Sequence, residues 1–431
     1  MESSRPQLLI LADAPAALRL LFGISPLERL LRVVQRLGFR EAVILSNAPD
    51  EIAAQLAKPS WARSEVTLSF RPRKAGALQV NEVATGAERI LVVSAGFYYD
   101  ARLLKTLTEQ GTTTLLVDSA PPPEIALLWE NFRAGASPAQ PEASGALALQ
   151  NLPLAAALID HDWLSRQDHS AALMDQLSSD AATGRIEACD AARQPGYVMS
   201  LRKQERPIFF PAPSPELLSV AERFLRAAAQ PGVQAFAERL NAPVENWIVG
   251  RLCRTSITPN QVTFVTMLIG LAVTACLTTG HLWSGVALAC VVEVLDGVDG
   301  KLARTKVETT AGGEWEHVID YCIELSWWTA LAFHFQAGGM SNAYWLLLLL
   351  VGSDLIDRLA KRAVKNKVRR NLDDVANFDR FVRWIGSRRC INIWILAAGL
   401  LLGDPANAFV LICGWGAATA AAHVVRALQL R

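Results

Sequence analysis

Several signals that often classify a protein are missing from this sequence. Its 42 Lys and Arg against 41 Asp and Glu leave a formal charge of +1, so no global field marks a binder of nucleic acid or another polyanion. The seven cysteines form no Cys-x-x-Cys pair and no metal-ligand spacing, which argues against a zinc or disulfide framework. Cys276, Cys290 and Cys413 stand in apolar runs and read as buried thiols. The six histidines are dispersed and suggest no ligand set. Met1–Arg5 is polar and leads into a short strand-like run, so no signal peptide is expected. Three loops, near Gly280, Gln336–Asn342 and Gly403–Asn407, contain no Lys or Arg.

What is present is uneven. Hydrophobic residues make up 51% and mean hydropathy is +0.22, high for a soluble chain and low for one wholly in a membrane. A length of 431 residues accommodates two domains, one of each kind. Residues 7–118 alternate short apolar runs (Leu8–Leu11, Ala42–Leu45, Val66–Phe70, Ile90–Val93, Thr114–Val117) with helical patterns. Ser25-Pro26-Leu27-Glu28 reads as a capping box that opens a helix to about Leu37, and Ala101–Gln110 as another helix. Alternation of this kind predicts an α/β domain with a mostly parallel sheet. Ser119 to about Ala148, rich in Pro, Ala, Ser and Gly, reads as a loose loop.

Pro213–Ala229 is an amphipathic helix that closes this domain, placed at residues 1–230. Residues 231–256 hold a second amphipathic stretch, in which Phe236, Leu240, Trp247, Ile248 and Leu252 interleave with Glu238, Arg239 and Arg251. It suits a helix lying in a membrane interface. Residues 257–431 then carry six apolar segments: Val262–Thr279, Leu282–Leu295, Val318–Phe335, Ala343–Ile356, Ile391–Leu402 and Ala406–Val425. Several fall short of the roughly 20 residues of a full span, and the second and third reach that length only with their acidic ends included. The expectation is an all-α, six-helix transmembrane domain. Lys and Arg gather in the alternate loops, at Arg251 and Arg254, at Lys301 to Lys306 and from Arg358 to Arg389. This asymmetry places both termini and those loops in the cytoplasm, with the protein in the cell (inner) membrane.

Between the second and third segments runs Asp296-Gly297-Val298-Asp299-Gly300-Lys301-Leu302-Ala303-Arg304, followed by Gly312, Glu316 and Asp320. On a helix Asp296, Asp299, Gly300 and Ala303 share one face, and Glu316 and Asp320 another. Four acids brought together form an all-oxygen nest for Mg2+ or Mn2+. Arg304 adds a fork for phosphate oxygens, and the small residues admit a bulky ligand.

These residues resemble the CDP-alcohol phosphotransferase (phosphatidyltransferase) family, whose pattern is D-x2-D-G-x2-A-R, about eight residues, then G-x3-D-x3-D. Two departures are visible: the spacer before Gly312 is one residue short, and Glu316 stands for the third Asp. The resemblance implies transfer of a substituted phosphate from a CDP-alcohol to an acceptor hydroxyl with release of CMP. It assigns Asp296, Asp299, Glu316 and Asp320 to two divalent ions, with Asp320 also as general base. Gly300, Ala303, Arg304 and Gly312 line the CDP site, and a homodimer is implied. Arg358, Lys361, Arg362, Arg388 and Arg389 are candidates for an acceptor that bears its own phosphate, such as a polyol phosphate.

The N-terminal region is similar to sugar-phosphate nucleotidyltransferases, a Rossmann-like α/β fold. Its first loop, Ala12 to Arg19, lacks the phosphate-cradling glycines, no Pro-Lys pair follows, and no acid ends the Ile90 strand. The fusion resembles di-myo-inositol phosphate phosphate synthases with their inositol-phosphate cytidylyltransferase half, with the first site decayed. CDP-diacylglycerol, CDP-inositol and other CDP-polyols all stand as donors. A CDP-alcohol-binding protein with an inactive metal site is the alternative, motivated by Glu316 and the short spacer.

Overall fold

The computed structural model describes residues 5–57, 66–74, 76–136, 154–308 and 313–430, with the side chains of 134–136 and 313–317 outside that description. The chain divides into two compact units, Met1–Gly196 with Glu205–Ala228 and Lys306–Glu308, and Tyr197–Gln204 with Ala229–Thr305 and Thr309–Arg431.

Unit 1 is α/β. In chain order it runs β1 (Gln7–Leu11), α1 (Pro26–Arg36), β2 (Glu41–Ser46), α2 (Pro49–Leu56), β3 (Thr67–Pro72), the single turn α3 (Val80–Val83), β4 (Arg89–Ser94), β5 (Phe97–Tyr99), α4 (Ala101–Thr108), β6 (Thr114–Val117), α5 (Pro123–Ala136), β7 (Ala156–Asp160), the single turn α6 (His161–Leu164), α7 (Leu173–Ala182), β8 (Glu187–Asp190) and α8 (Leu218–Ala229). The main sheet has the order β3-β2-β1-β4-β7-β6-β8. Alternate residues of the apolar runs go to opposite faces. Leu8, Ile10, Leu91 and Val93 join one core, while Leu9, Leu11, Ile90 and Val92 join the other. Both faces are covered, so the strands read as unbroken hydrophobic runs.

The sheet is mostly parallel, as expected: β3-β2-β1-β4 and β6-β8 are parallel, and β7 alone runs antiparallel to its neighbours β4 and β6. One detail differs from expectation. Part of the stretch read as loose loop is α5. Its Pro123 is the first helical residue, where the missing N–H costs nothing, and Ile125, Leu128 and Trp129 at i, i+3 and i+4 are buried. The rest of that stretch, residues 137–148, lies outside the described residues. The predicted start of α1 holds: Ser25 accepts a hydrogen bond from the Glu28 N–H at 3.1 Å.

Unit 2 is mostly helical, with one short antiparallel ladder of Tyr197–Val198 and Lys203–Gln204; its helices are α9 (Phe236–Leu252), α10 (Pro259–Thr278), α11 (Leu282–Lys306, its last residue in unit 1), α12 (Gly313–Ala337), α13 (Ala343–Val368), α14 (Asn377–Ile385), α15 (Arg389–Leu401) and α16 (Pro405–Gln429). Each of the six apolar segments lies in a helix. Thr258 and Gln261 form a reciprocal capping box at the start of α10, with Pro259 as first residue. α14 is new; it interrupts the basic stretch read from sequence as a loop. Among the described residues α10 and α16 are long and apolar enough to cross a membrane, and α15 is a shorter apolar helix. α11, α12 and α13 carry their apolar segments on longer helices that end in charged turns. Gly270 lets α12 approach closely: a Cβ there would lie 2.7 Å from Ile323, and the Trp327 indole donates to the Gly270 carbonyl at 2.8 Å.

Candidate active site

α11 is unbroken from Leu282 to Lys306, so Asp296, Asp299, Gly300 and Ala303 do occupy one helical face. Asp299 is buried and accepts a hydrogen bond from the Thr263 hydroxyl of α10 at 2.9 Å. Asp296 is more open, and its Oδ2 lies 3.1 Å from an Arg389 nitrogen at the start of α15. Arg389 also holds Glu293, one turn before Asp296. The guanidinium of Arg304 fills the space beside Gly300, 3.3 Å from where a Cβ would stand, and its Nε donates to the Ala229 carbonyl at 2.8 Å.

Gly297 answers to a different need. A Cβ there would fall 2.3 Å from the carboxyl carbon of Glu245 on α9. That carboxylate, 4% exposed as a residue, pairs with Lys301 at 2.7 Å, and Lys301 also donates to Asn246 Oδ1 at 3.0 Å. Burial raises the Glu245 pKa, with the Lys301 ammonium pulling it back. The motif helix is thus pinned to α9 by a buried ion pair seated over a glycine. Sequence reading missed Glu245, because nothing local connects α9 to the motif.

On α12, Asp320 is half-buried. Glu316 lies on the same helix, but its side chain and Gly312 fall outside the described residues. Among the described residues no three His, Cys, Asp or Glu side chains gather as metal ligands. The donor chemistry that is described, carboxylates alone on the α11 face, fits a hard divalent cation.

One turn beyond Asp320, Glu324 lines a cavity of about 50 Å³ together with Tyr321, Asp354, Asp357, Ser387 and Arg388. Glu324 was not singled out from sequence, although it stands four residues after Asp320. The candidate acceptor cations are already engaged. Arg358 pairs with Asp354 at 2.8 Å and Lys361 with Asp357 at 2.7 Å, while Arg388 lies 3.4 Å from Glu238. Arg362 is exposed. Asp373 is the hub of this region, 3.2 Å from Arg383 and 3.5 Å from Lys361. Burial pushes its carboxyl up, but Lys361, Arg388 and Arg202 outweigh that and hold it below the usual range.

In unit 1, Asp13, Asn47, Arg73 and Gly96 follow β1, β2, β3 and β4, at the carboxyl ends where doubly wound folds bind ligands. Here the space is crossed by protein. Arg73 bonds Asp13 Oδ2 and the Gly76 carbonyl, both at 2.5 Å, and Asn47 Oδ1 accepts from the Ala14 N–H at 3.1 Å.

Carboxylates on one helix face, small residues beside them and a guanidinium one turn on are chemically suited to a divalent cation and a phosphate group. The comparison with known proteins specifies the class. Residues 256–420 match the CDP-alcohol phosphatidyltransferase family model. The chain is also 30% identical over 152 residues to the bifunctional IPC transferase and DIPP synthase of Aquifex aeolicus, covering 35% of each protein. With the protein of the same name from Thermococcus kodakarensis it is 31% identical over 155 residues, 35% of this chain and 34% of the relative. The chain therefore spans about a third of the length of the curated relatives it matches. The inositol-1-phosphate CTP transferase of T. maritima overlaps 51% of this chain and 97% of its own, at 11% identity and a TM-score of 0.33, a likeness too weak to argue from.

Proposed function

We propose that the protein is an integral membrane phosphotransferase that moves a substituted phosphate from a CDP-alcohol to an acceptor hydroxyl and releases CMP. The observation that carries this reading is the continuous α11 face of Asp296, Asp299, Gly300, Ala303 and Arg304 inside the matched region. CDP-diacylglycerol and CDP-polyols such as CDP-inositol are the donors to consider, with an alcohol or polyol phosphate as acceptor. The names of the two relatives favour the polyol branch.

Asp296, Asp299, Glu316 and Asp320 would hold Mg2+ or Mn2+, which neutralises the pyrophosphate and the departing CMP when bound. The chain's own residues do the rest. Asp320 takes the proton from the acceptor hydroxyl as its oxygen attacks the substituted phosphorus, and the bond from that phosphorus to the CMP oxygen breaks. Arg304, buried against the Gly300 backbone, steadies the phosphate charge, and Gly300, Ala303 and Gly312 leave room for the nucleotide.

Membrane residence is supported by α10 and α16 and by the apolar side chains the helices turn outward: Phe264, Leu268 and Leu271 on α10, Trp345 and Leu348 on α13, and Leu411 on α16. All six apolar helices would span the inner membrane as a homodimer in lipid, with α9 at its surface and the termini and active site in the cytoplasm. Unit 1 would be a nucleotidyltransferase-type domain without nucleotide chemistry, its crevice occupied by the Arg73–Asp13 pair.

A second reading, a CDP-alcohol-binding protein without turnover, draws on Arg389, which neutralises Asp296 where a metal ion would sit. CMP release by purified protein in detergent with Mg2+ decides between them. CDP-diacylglycerol and CDP-inositol are offered separately, each with inositol phosphate or glycerol phosphate. Release that requires one donor, the metal and Asp320 supports the enzyme. Donor binding with no release under any pairing supports the second reading.

A further inference from the structure

Helix α1 buries charge where an α/β domain normally meets water: Glu28, Arg29 and Arg32 are 9%, 7% and 3% exposed. Arg32 shows why. One guanidinium nitrogen holds Glu28 at 2.6 Å, and another donates to the Lys306 carbonyl at 2.6 Å and to Glu308 Oε1 at 3.3 Å. Lys306–Glu308 belong to unit 1, and Val307 is part of its hydrophobic core. These residues follow directly on the motif helix α11 and lead toward Gly312 and Glu316. Val307 has φ +53°, a left-handed conformation unfavourable for a β-branched residue that persists only where its surroundings impose it. A charge-assisted hydrogen bond to the preceding carbonyl and a packed Val307 side chain supply that constraint.

We propose that Arg32 is a positioning residue for phosphotransfer: it fixes the chain as it leaves α11 and so sets where the second half of the acidic motif begins. This rests on the reading of α11 and α12 as the active site. It gives the α/β unit a task that needs no nucleotide, that of a clamp on the segment joining the two halves of the motif.

The test uses the full chain in detergent with Arg32→Ala, Arg32→Lys and, as a control for lost stability alone, Leu104→Ala in the core of α4. Two quantities are read: amide hydrogen exchange of residues 305–308, and the Mg2+ dependence of CMP release. Arg32→Ala is expected to speed exchange there by about tenfold or more, the scale of one lost charge-assisted hydrogen bond. It should raise the Mg2+ concentration for half-maximal release by about tenfold while the donor KM stays within about twofold. Arg32→Lys, which retains one donor to the carbonyl, should recover part of both effects, and Leu104→Ala should show neither. Arg32→Ala indistinguishable from Leu104→Ala in both readouts overturns the proposal. If the wild type releases no CMP from any donor, the proposed activity fails, and the exchange result alone decides whether Arg32 holds the segment.

Discussion

Asp13 and Asp299 are both acids at places where a phosphate ligand belongs, and their surroundings treat them in opposite ways. Asp13 is closed by its own unit: Arg73, itself 3% exposed at its side chain, lies across it, and the neighbouring loop has no glycine to leave room for a nucleotide. Asp299 accepts a hydrogen bond from the neutral Thr263 hydroxyl and stands next to Gly300, and the nearby cation Lys301 is paired with Glu245. The lesson is about counter-ions. Asp13 is held by a cation of its own unit, whereas the Lys301 ammonium beside Asp299 is engaged by Glu245.

The largest expected effect breaks the contrast at its active side. Asp299→Asn should lower metal-dependent CMP release by about a thousandfold or more, with the chain still folded by circular dichroism. Wild-type rates in that variant would remove α11 from the chemistry. Next comes the charge hub of unit 2. Asp373→Asn should cost about 3–5 kcal/mol, because Arg383 and Lys361 lose a buried partner. The native pKa of Asp373 lies below its unfolded value near 4, so this stabilisation is present above about pH 4 and is lost as pH falls through the native pKa. Thermal unfolding of wild type and variant should therefore differ most near neutrality and converge in acid. A Tm gap independent of pH would contradict this account.

Gly297→Ala sharpens the comparison from the side of shape. Its methyl group meets the Glu245 carboxylate and should cost about 1–3 kcal/mol, read as a lower Tm; a neutral result would mean α9 yields at no expense. The smallest effect is expected in unit 1. Arg73→Met opens the crevice, yet CMP release should change by less than about twofold, because that crevice has no part in the chemistry. Neither form should exchange pyrophosphate with CTP; exchange by the wild type would restore a catalytic role to unit 1.

Much of this was legible along the chain, because the signals are local. The runs at Leu8, Ala42 and Ile90 are strands, Ser25 and Thr258 cap helices, and the motif residues fall on one helical face. α5 was hidden by its prolines, which read as breakers when the third of them only starts the helix. The direction of β7 was invisible, since periodicity carries no sign. Glu245, and the pairing of Arg389 with Glu293 and Asp296 rather than with an acceptor, escaped for a deeper reason: the partners lie far away in sequence, on helices whose packing no local pattern reports. The metal half of the site on α12 is as far as sequence takes it, with Glu316 named and its side chain outside the described residues.

Val307 carries one more consequence. It belongs to the core of the α/β unit, yet the ribosome delivers it only after α9, α10 and all of α11 have been made. The N-terminal unit cannot complete its own packing when its last helix, α8, emerges. It must wait, with a hydrophobic position unfilled, until the first apolar helices have been made. A fragment cut after α8 should on this account be soluble at best as a loosened fold, recovering full cooperativity only when a segment containing Val307 is supplied.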